Sequence, residues 1–236
     1  VNPRQVRRFA EAMGYLEKTD DIDAGVIARF AQTKDLVGQI PATPSQERLR
    51  ALVTRLRQLT ELKVAQGNQR RLLTDPTAQG SIDEMLVLIR NQIRGFEIAI
   101  AELLGSDPVW RALDQAFREI KGVADRTVAH IMAQMPEIGT YSNKAVAKLA
   151  GLAPLARDSG KRSGRRAIYG GRSDVRSILF VVASVVARHE PDFIAFRQRL
   201  LDAGKPKKVV RVALAHKLIV RLNAKARDAR IAFAAA

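Results

Sequence analysis

Apolar residues recur along this chain at intervals of three and four, the spacing that gathers side chains on one side of an α-helix. Val6, Phe9 and Met13 keep that step between Pro3 and Gly14, which predicts a helix with proline at its opening position. Just before it, Val1-Asn2-Pro3 reads as the close of a strand. Thr19 is the expected N-cap of a second helix whose apolar side is Ile22, Val26, Ile27 and Phe30. Pro41 to Pro44 then punctuates the chain. From Ser45 the step becomes a heptad through Leu49, Leu52, Leu56 and Leu59. It breaks at Thr74-Asp75-Pro76 and resumes through Ile82, Leu86, Ile89, Ile93, Phe96, Ile100 and Leu103. Two long helices follow from this, packed as an antiparallel hairpin or against another subunit, a coiled coil over 45–105.

Beyond Gly105-Ser106-Asp107-Pro108 the predicted helices shorten. Ile120 to Thr127 is similar to a helix-hairpin-helix turn, in which a glycine-containing loop offers backbone N–H groups to a phosphate. Ala124 stands where a second glycine is usual, and an ordinary helix-helix turn accounts for the segment equally well. Gly151-Leu152-Ala153-Pro154 leads into a polar, basic, glycine-rich loop ending at Tyr169-Gly170-Gly171-Arg172. Ser173 is the expected N-cap of an apolar helix through Ile178 and Val182 to Val186. Pro191 opens a helix that closes at Gly204, and Pro206 opens a last one carrying Val209, Val212, Leu214, Leu218 and Leu222. The chain is expected to be mainly α, in three parts: 1–40, 45–105 and 106–236.

Composition changes this picture in three ways. Hydrophobic residues make up 47% of the chain, enough for a folded core rather than a disordered basic tail. There is no cysteine, which excludes a disulfide framework, a thiolate nucleophile and a thiolate metal site. No apolar run approaches the roughly 20 residues of a membrane span, so the chain reads as soluble and intracellular. Charge is more specific. The net charge is +16, and residues 151–236 hold 19 of the basic and only 6 of the acidic side chains. A positive field at one end suits a polyanion, because each neutralised phosphate frees condensed counterions. Nucleic acid leads; anionic lipid would ask for an amphipathic helix with aromatic anchors, and the basic end has few aromatics.

Several residue groups could carry chemistry. Asp20 and Asp23 lie three apart at a helix start, so their carboxylates project to one side and could share Mg²⁺ with substrate phosphates. Acidic residues in a first turn are also what the helix dipole favours. Ser159 precedes Gly160 among Arg157, Lys161 and Arg162, cations able to hold a scissile phosphate. Ser163 is its rival by composition, and a phosphate-binding or turn-capping serine is the plainer account of either. Arg165, Arg166, Arg172, Arg176, Lys205, Lys207 and Lys208 complete the expected nucleic-acid-binding set. His130, His189 and His216 lack ligand spacing and read as structural.

These pieces occur in a specific order. Val1-Asn2-Pro3-Arg4-Gln5-Val6, Lys18-Thr19-Asp20-Asp21-Ile22-Asp23-Ala24, Gly151-Leu152-Ala153-Pro154, Ser159-Gly160, Gly170-Gly171-Arg172, Arg188-His189-Glu190-Pro191 and Gly204-Lys205-Pro206-Lys207-Lys208 run in register with DEDD transposases of the IS one-ten type. The chain resembles that family over nearly its whole length. The resemblance implies the tail of an RNase H-like domain over 1–40, a coiled coil, and a C-terminal helical transposase domain. It implies that Asp20 and Asp23 are the last two carboxylates of a metal-binding tetrad and that Ser159 is the nucleophile. It also implies DNA as substrate, a structured guide RNA, a homo-oligomer and a prokaryotic, nucleoid-associated setting. The first Asp and the Glu of the tetrad would lie upstream of Val1. The expectation is therefore a fragment that is inactive alone, holds Mg²⁺ weakly and still binds nucleic acid. A noncatalytic nucleic-acid scaffold and a helical assembly protein are the competing readings.

Overall fold

In the computed structural model residues 3–17, 19–33, 41–156, 160, 164 and 166–235 are described. The protein is mainly α, as the periodicity predicts, and the chain divides into two compact units, Val1–Ala42 and Thr43–Ala236. Among the described residues no helix is long and apolar enough to cross a membrane.

The first unit pairs α1 (Pro3–Ala12) with α2 (Asp20–Thr33). Phe9 and Phe30 meet edge to face, with ring centroids 5.4 Å apart, over buried Ala10 and Val26. Thr19 caps α2 as expected: its Oγ1 accepts from Ile22 N at 3.4 Å and its carbonyl from Asp23 N at 2.9 Å. Ile27 departs from its predicted place on the apolar side and is exposed. Val26 and Phe30, one turn apart, already fill that side, and Ile27 lies about 100° around the helix from Val26.

The second unit starts with a hairpin of α3 (Pro44–Leu72) and α4 (Pro76–Ser106), antiparallel because only three residues join them. α3 begins one residue before the expected Ser45, since Thr43 Oγ1 accepts from Gln46 N at 3.2 Å and Pro44 fits the first helical position. Asp75-Pro76 and Asp107-Pro108 repeat the device: each aspartate accepts a first-turn N–H at 2.9 Å. The seam buries Leu49, Leu56, Leu59, Leu86, Ile89, Ile93, Ile100 and Leu103. Leu52 is only half-buried while Val53 is fully buried, the drift expected of a straight 3.6-residue helix against a 3.5-residue repeat. Near the tip, Arg70 grips Asp83 with two bonds of 2.5 and 2.8 Å, which hold the Asp83 carboxyl below its usual range.

The remaining helices are α5 (Pro108–Arg118), α6 (Asp125–Gln134), α7 (Asn143–Leu149), α8 (Ser173–His189), α9 (Pro191–Asp202) and α10 (Lys207–Ala234). α10 runs through their middle, and its Leu214, Leu218, Ile219 and Leu222 are buried against α5, α7, α8 and α9. Gln46 ties the hairpin to this platform: its buried Nε2 donates to the carbonyls of Met132 and Ala133 at the end of α6, at 3.0 and 3.1 Å. Asn223 does the same for the loop before α7. Fully buried on α10, it accepts from Gly139 N at 2.8 Å and donates to Tyr141 O at 3.0 Å and Asn143 Oδ1 at 2.8 Å. Asn223→Ala strands a buried N–H and two acceptors, so a loss of about 2–4 kcal/mol is expected in urea unfolding. A loss below about 0.5 kcal/mol, the range of surface substitutions, would mean the network does not anchor the loop.

The turn between α5 and α6, similar in sequence to a helix-hairpin-helix, packs against α8. A Cβ on Gly122 would lie 3.1 Å from Val186 N, and the Lys121 amide donates to buried Glu190 Oε1 at 2.8 Å. That amide is engaged by a protein carboxylate, as in a plain helix-helix turn.

Candidate nucleic-acid interface

The basic glycine-rich segment leaves and rejoins the platform at one pinned point. α7 ends in a Schellman motif: Leu152 N donates to Ala147 O at 2.9 Å and Gly151 N to Lys148 O at 3.0 Å, with Gly151 at φ +66° and Leu152 buried. Strand β1 (Pro154–Leu155) then pairs antiparallel with β2 (Ala167–Ile168), Pro154 opposite Ile168 and Leu155 opposite Ala167. This short ladder closes the base of segment 156–166.

Below the ladder two glycine backbones touch. A Cβ on Gly171, at φ +66°, would lie 2.3 Å from Gly151 N and 2.6 Å from Leu149 O; one on Gly151 would lie 2.2 Å from Gly170 O. Only a residue without a side chain permits that approach. Arg172 N donates to Leu149 O at 2.7 Å, and Arg176 Nη1 to Gly170 O at 2.6 Å. Arg172 Nη1 also donates to Gln134 O at 2.7 Å and pairs with Glu137. Arg172, rather than the expected Ser173, takes the N-cap position of α8, and no side chain makes a capping bond there. Ser173 is already inside the helix. Arg50, Gln134, Gly171, Arg172, Ser173 and Asp174 line a cavity of about 420 Å³ beside this point. Behind it, burial pushes His130 below its usual pKa, opposed by Asp174 and reinforced by Arg57, and its Nε2 has no hydrogen-bond partner among the described residues. A neutral, buried His130 agrees with a structural role.

Ser159, its rival Ser163, and Arg157, Lys161, Arg162 and Arg165 lie outside the described residues. Arg166 is exposed just before β2. Arg172 and Arg176 come together at the pinned base, where their guanidinium groups donate to the backbone carbonyls of Gln134 and Gly170. Lys205, Lys207 and Lys208 sit elsewhere on the unit, exposed around the start of α10, where no acidic residue occupies the first turn. Sequence reasoning did not find Gln134 and Glu137, the partners of Arg172, because ordinary polar residues far along the chain carry no local signal.

Asp20 and Asp23 stand in the first turn of α2, Asp20 exposed and Asp23 half-buried. Carboxylate oxygens suit a hard cation such as Mg²⁺. Among the described residues, however, no group of three or more His, Cys, Asp or Glu is placed to hold a metal ion. Two carboxylates by themselves are an incomplete donor set for such a cation.

Two comparisons bear on this arrangement. Residues 114–198 match the family model described as Transposase IS116/IS110/IS902 family, and residues 1–75 match a transposase model of the DEDD IS110 type. The pilin gene-inverting protein of Moraxella bovis is 26% identical over 231 residues, covering 93% of this chain and 69% of its own length. The pilin gene-inverting protein of Moraxella lacunata is similar to the same degree, with the same coverage.

Proposed function

This chain belongs to the IS110-type transposase family, and we propose that it breaks and rejoins DNA through Ser159. The observation that carries the reading is the pinned base at Gly151 and Gly171: a ladder of two residue pairs and a glycine contact hold both ends of a serine-bearing, cationic segment on a rigid helical platform. Catalytic groups gain from such support, because misplacement of a nucleophile is costly.

In the proposed step, Ser159 Oγ attacks a backbone phosphorus. The Oγ–P bond forms, the P–O bond to one sugar breaks, the serine proton passes to water and the departing sugar oxygen takes up a proton. Rejoining reverses the step, with a sugar hydroxyl displacing the serine. One phosphoester replaces another at each stage, so no oxidant, reductant or nucleotide cofactor is consumed. The guanidinium groups of Arg157 and Arg162 and the Lys161 ammonium would balance charge on the phosphate oxygens. Asp20 and Asp23 are assigned to an acidic site that needs further ligands. Target choice is assigned to a structured RNA, a partner that the excess of 19 basic over 6 acidic residues in 151–236 supports. Exposed Met85, Leu88 and Ile98 on α4 support packing against a second copy.

The test is chemical. Protein recovered under denaturing conditions from cells carrying its insertion element, then digested with nuclease and protease, is expected to yield a peptide with a nucleotide phosphate on Ser159. A nucleotide on Ser163 overturns the assignment and transfers the role to that residue; a DNA-free protein in cells that are recombining the element overturns it and leaves the noncatalytic scaffold.

A further inference from the structure

A second cationic site lies at the far end of α8. Ser184 and Arg188 of α8, Arg197 of α9, and Lys207 and Arg211 of α10 converge on a cavity of about 300 Å³ floored by Leu201, Val210 and Leu214. Among the described residues four cations line it and no carboxylate does. Most of the acidic groups on these helices are spent elsewhere: Glu190 and Asp192 face Arg221, and Asp202 accepts from Gln198 at 2.7 Å.

The local chemistry of α10 sharpens this. Lys207 and Arg211 are four apart, so two like charges share one helix face, which disfavours the helix by a few tenths of a kcal/mol. Lys207 and Lys208 also crowd the N-terminal turn, where the helix dipole is positive and no acidic residue offsets it. Three unfavourable placements without a carboxylate to relieve them are what an external anion would stabilise. Arg211 is already oriented for one. Its Nε donates to Phe180 O at 3.1 Å and Ser184 Oγ at 2.5 Å, and its guanidinium carbon lies 4.4 Å from the Phe180 ring centroid. Holding the side chain by Nε leaves the two Nη amino groups as a fork for phosphate oxygens.

We propose that this α8–α9–α10 pocket is a phosphate-binding contact for a nucleic-acid backbone, distinct from the pinned base at Gly151 and Gly171. Among the described residues no aromatic side chain lines it, so it offers no platform for stacking a base and fixes position without reading sequence. Arg188 stands fifteen residues along α8 from Ser173, about 22 Å at 1.5 Å per residue. A duplex touching both ends of α8 would extend over about six base-pair steps. The proposal rests on the chain acting on nucleic acid, but not on Ser159 being the nucleophile.

The test measures binding alone, so the absence of a Ser159 adduct leaves it readable. The affinity of the protein for a duplex DNA and for a structured RNA, both of arbitrary sequence, is followed against salt. Arg188→Gln with Arg197→Gln is expected to lower the slope of log affinity against log salt by about two on the probe whose backbone the pocket holds. Arg188→Lys with Arg197→Lys, which keeps the charge, should retain the slope and serves as the check on folding. Whichever probe responds identifies the source of the phosphate. Slopes unchanged on both probes, with helicity intact, overturn the proposal.

Discussion

Ser159→Ala, made in cells carrying the whole insertion element, is expected to reduce covalent protein–DNA adducts and recombination by on the order of 10⁶, the scale on which removal of a serine nucleophile acts in enzymes that depend on one. Alanine deletes only Oγ. It leaves every cation of the segment in place, so affinity for DNA or RNA and its salt dependence should change little, since those rest on charge. The split between lost chemistry and retained binding is what separates a nucleophile from a phosphate-contacting serine. A contacting serine would lower affinity modestly and slow recombination in proportion. Ser163→Ala is the matched control, four residues on in the same cationic surroundings, and should recombine normally. Recombination at the unaltered rate in Ser159→Ala would remove Ser159 from the mechanism; loss in Ser163→Ala alone would transfer the role.

Gly171→Ala is expected to destabilise the second unit by about 3–5 kcal/mol. A left-handed backbone at φ +66° costs a residue with a side chain roughly 1–2 kcal/mol. The new Cβ, 2.3 Å from Gly151 N, meets backbone rather than a flexible chain end, so the two strands of backbone must part. Parting them weakens the Arg172 N to Leu149 O bond, worth about 1 kcal/mol more. For a chain of this size the melting temperature should fall by about 10 °C. Gly80→Ala is the contrast. Gly80 lies inside α4 with nothing beyond its own turns of helix within 4 Å of the added Cβ, so the same change there should stabilise by up to about 1 kcal/mol. Equal effects at the two positions would mean the contact between Gly151 and Gly171 does not exist. A Gly171→Ala protein that melts normally but no longer forms adducts would confine the damage to the placement of the serine segment.

Much of this architecture is legible along the chain. Leu49, Leu56, Leu59, Ile89, Ile93, Ile100 and Leu103 are buried where the three-and-four step puts them, because a helix converts sequence spacing directly into a face. Thr19 caps α2, and prolines open α1, α3, α4, α5 and α9, for the same local reason. The departures are also local in form and tertiary in cause. Val53 displaces Leu52 in the seam, Ile27 is left outside because Val26 and Phe30 fill the space, and Ser173 yields the N-cap position when Arg172 N is drawn to Leu149 O.

By itself the sequence determined the helical class, most helix starts to within a residue, the concentration of positive charge after Gly151, and the ordered motifs shared with IS110-type transposases. All are properties of neighbours or of composition, and a linear reading reaches them. Only the tertiary structure decided which glycines touch and which cations lack a carboxylate. Gly151 and Gly171 stand on opposite sides of the basic segment, and their contact depends on a ladder that forms only when the chain doubles back. Arg188, Arg197 and Arg211 come from three helices most of whose acidic residues turn to other partners. Charge is written in the sequence, but its neutralisation depends on which side chains folding brings within a few ångströms, and that is where an anion finds a site.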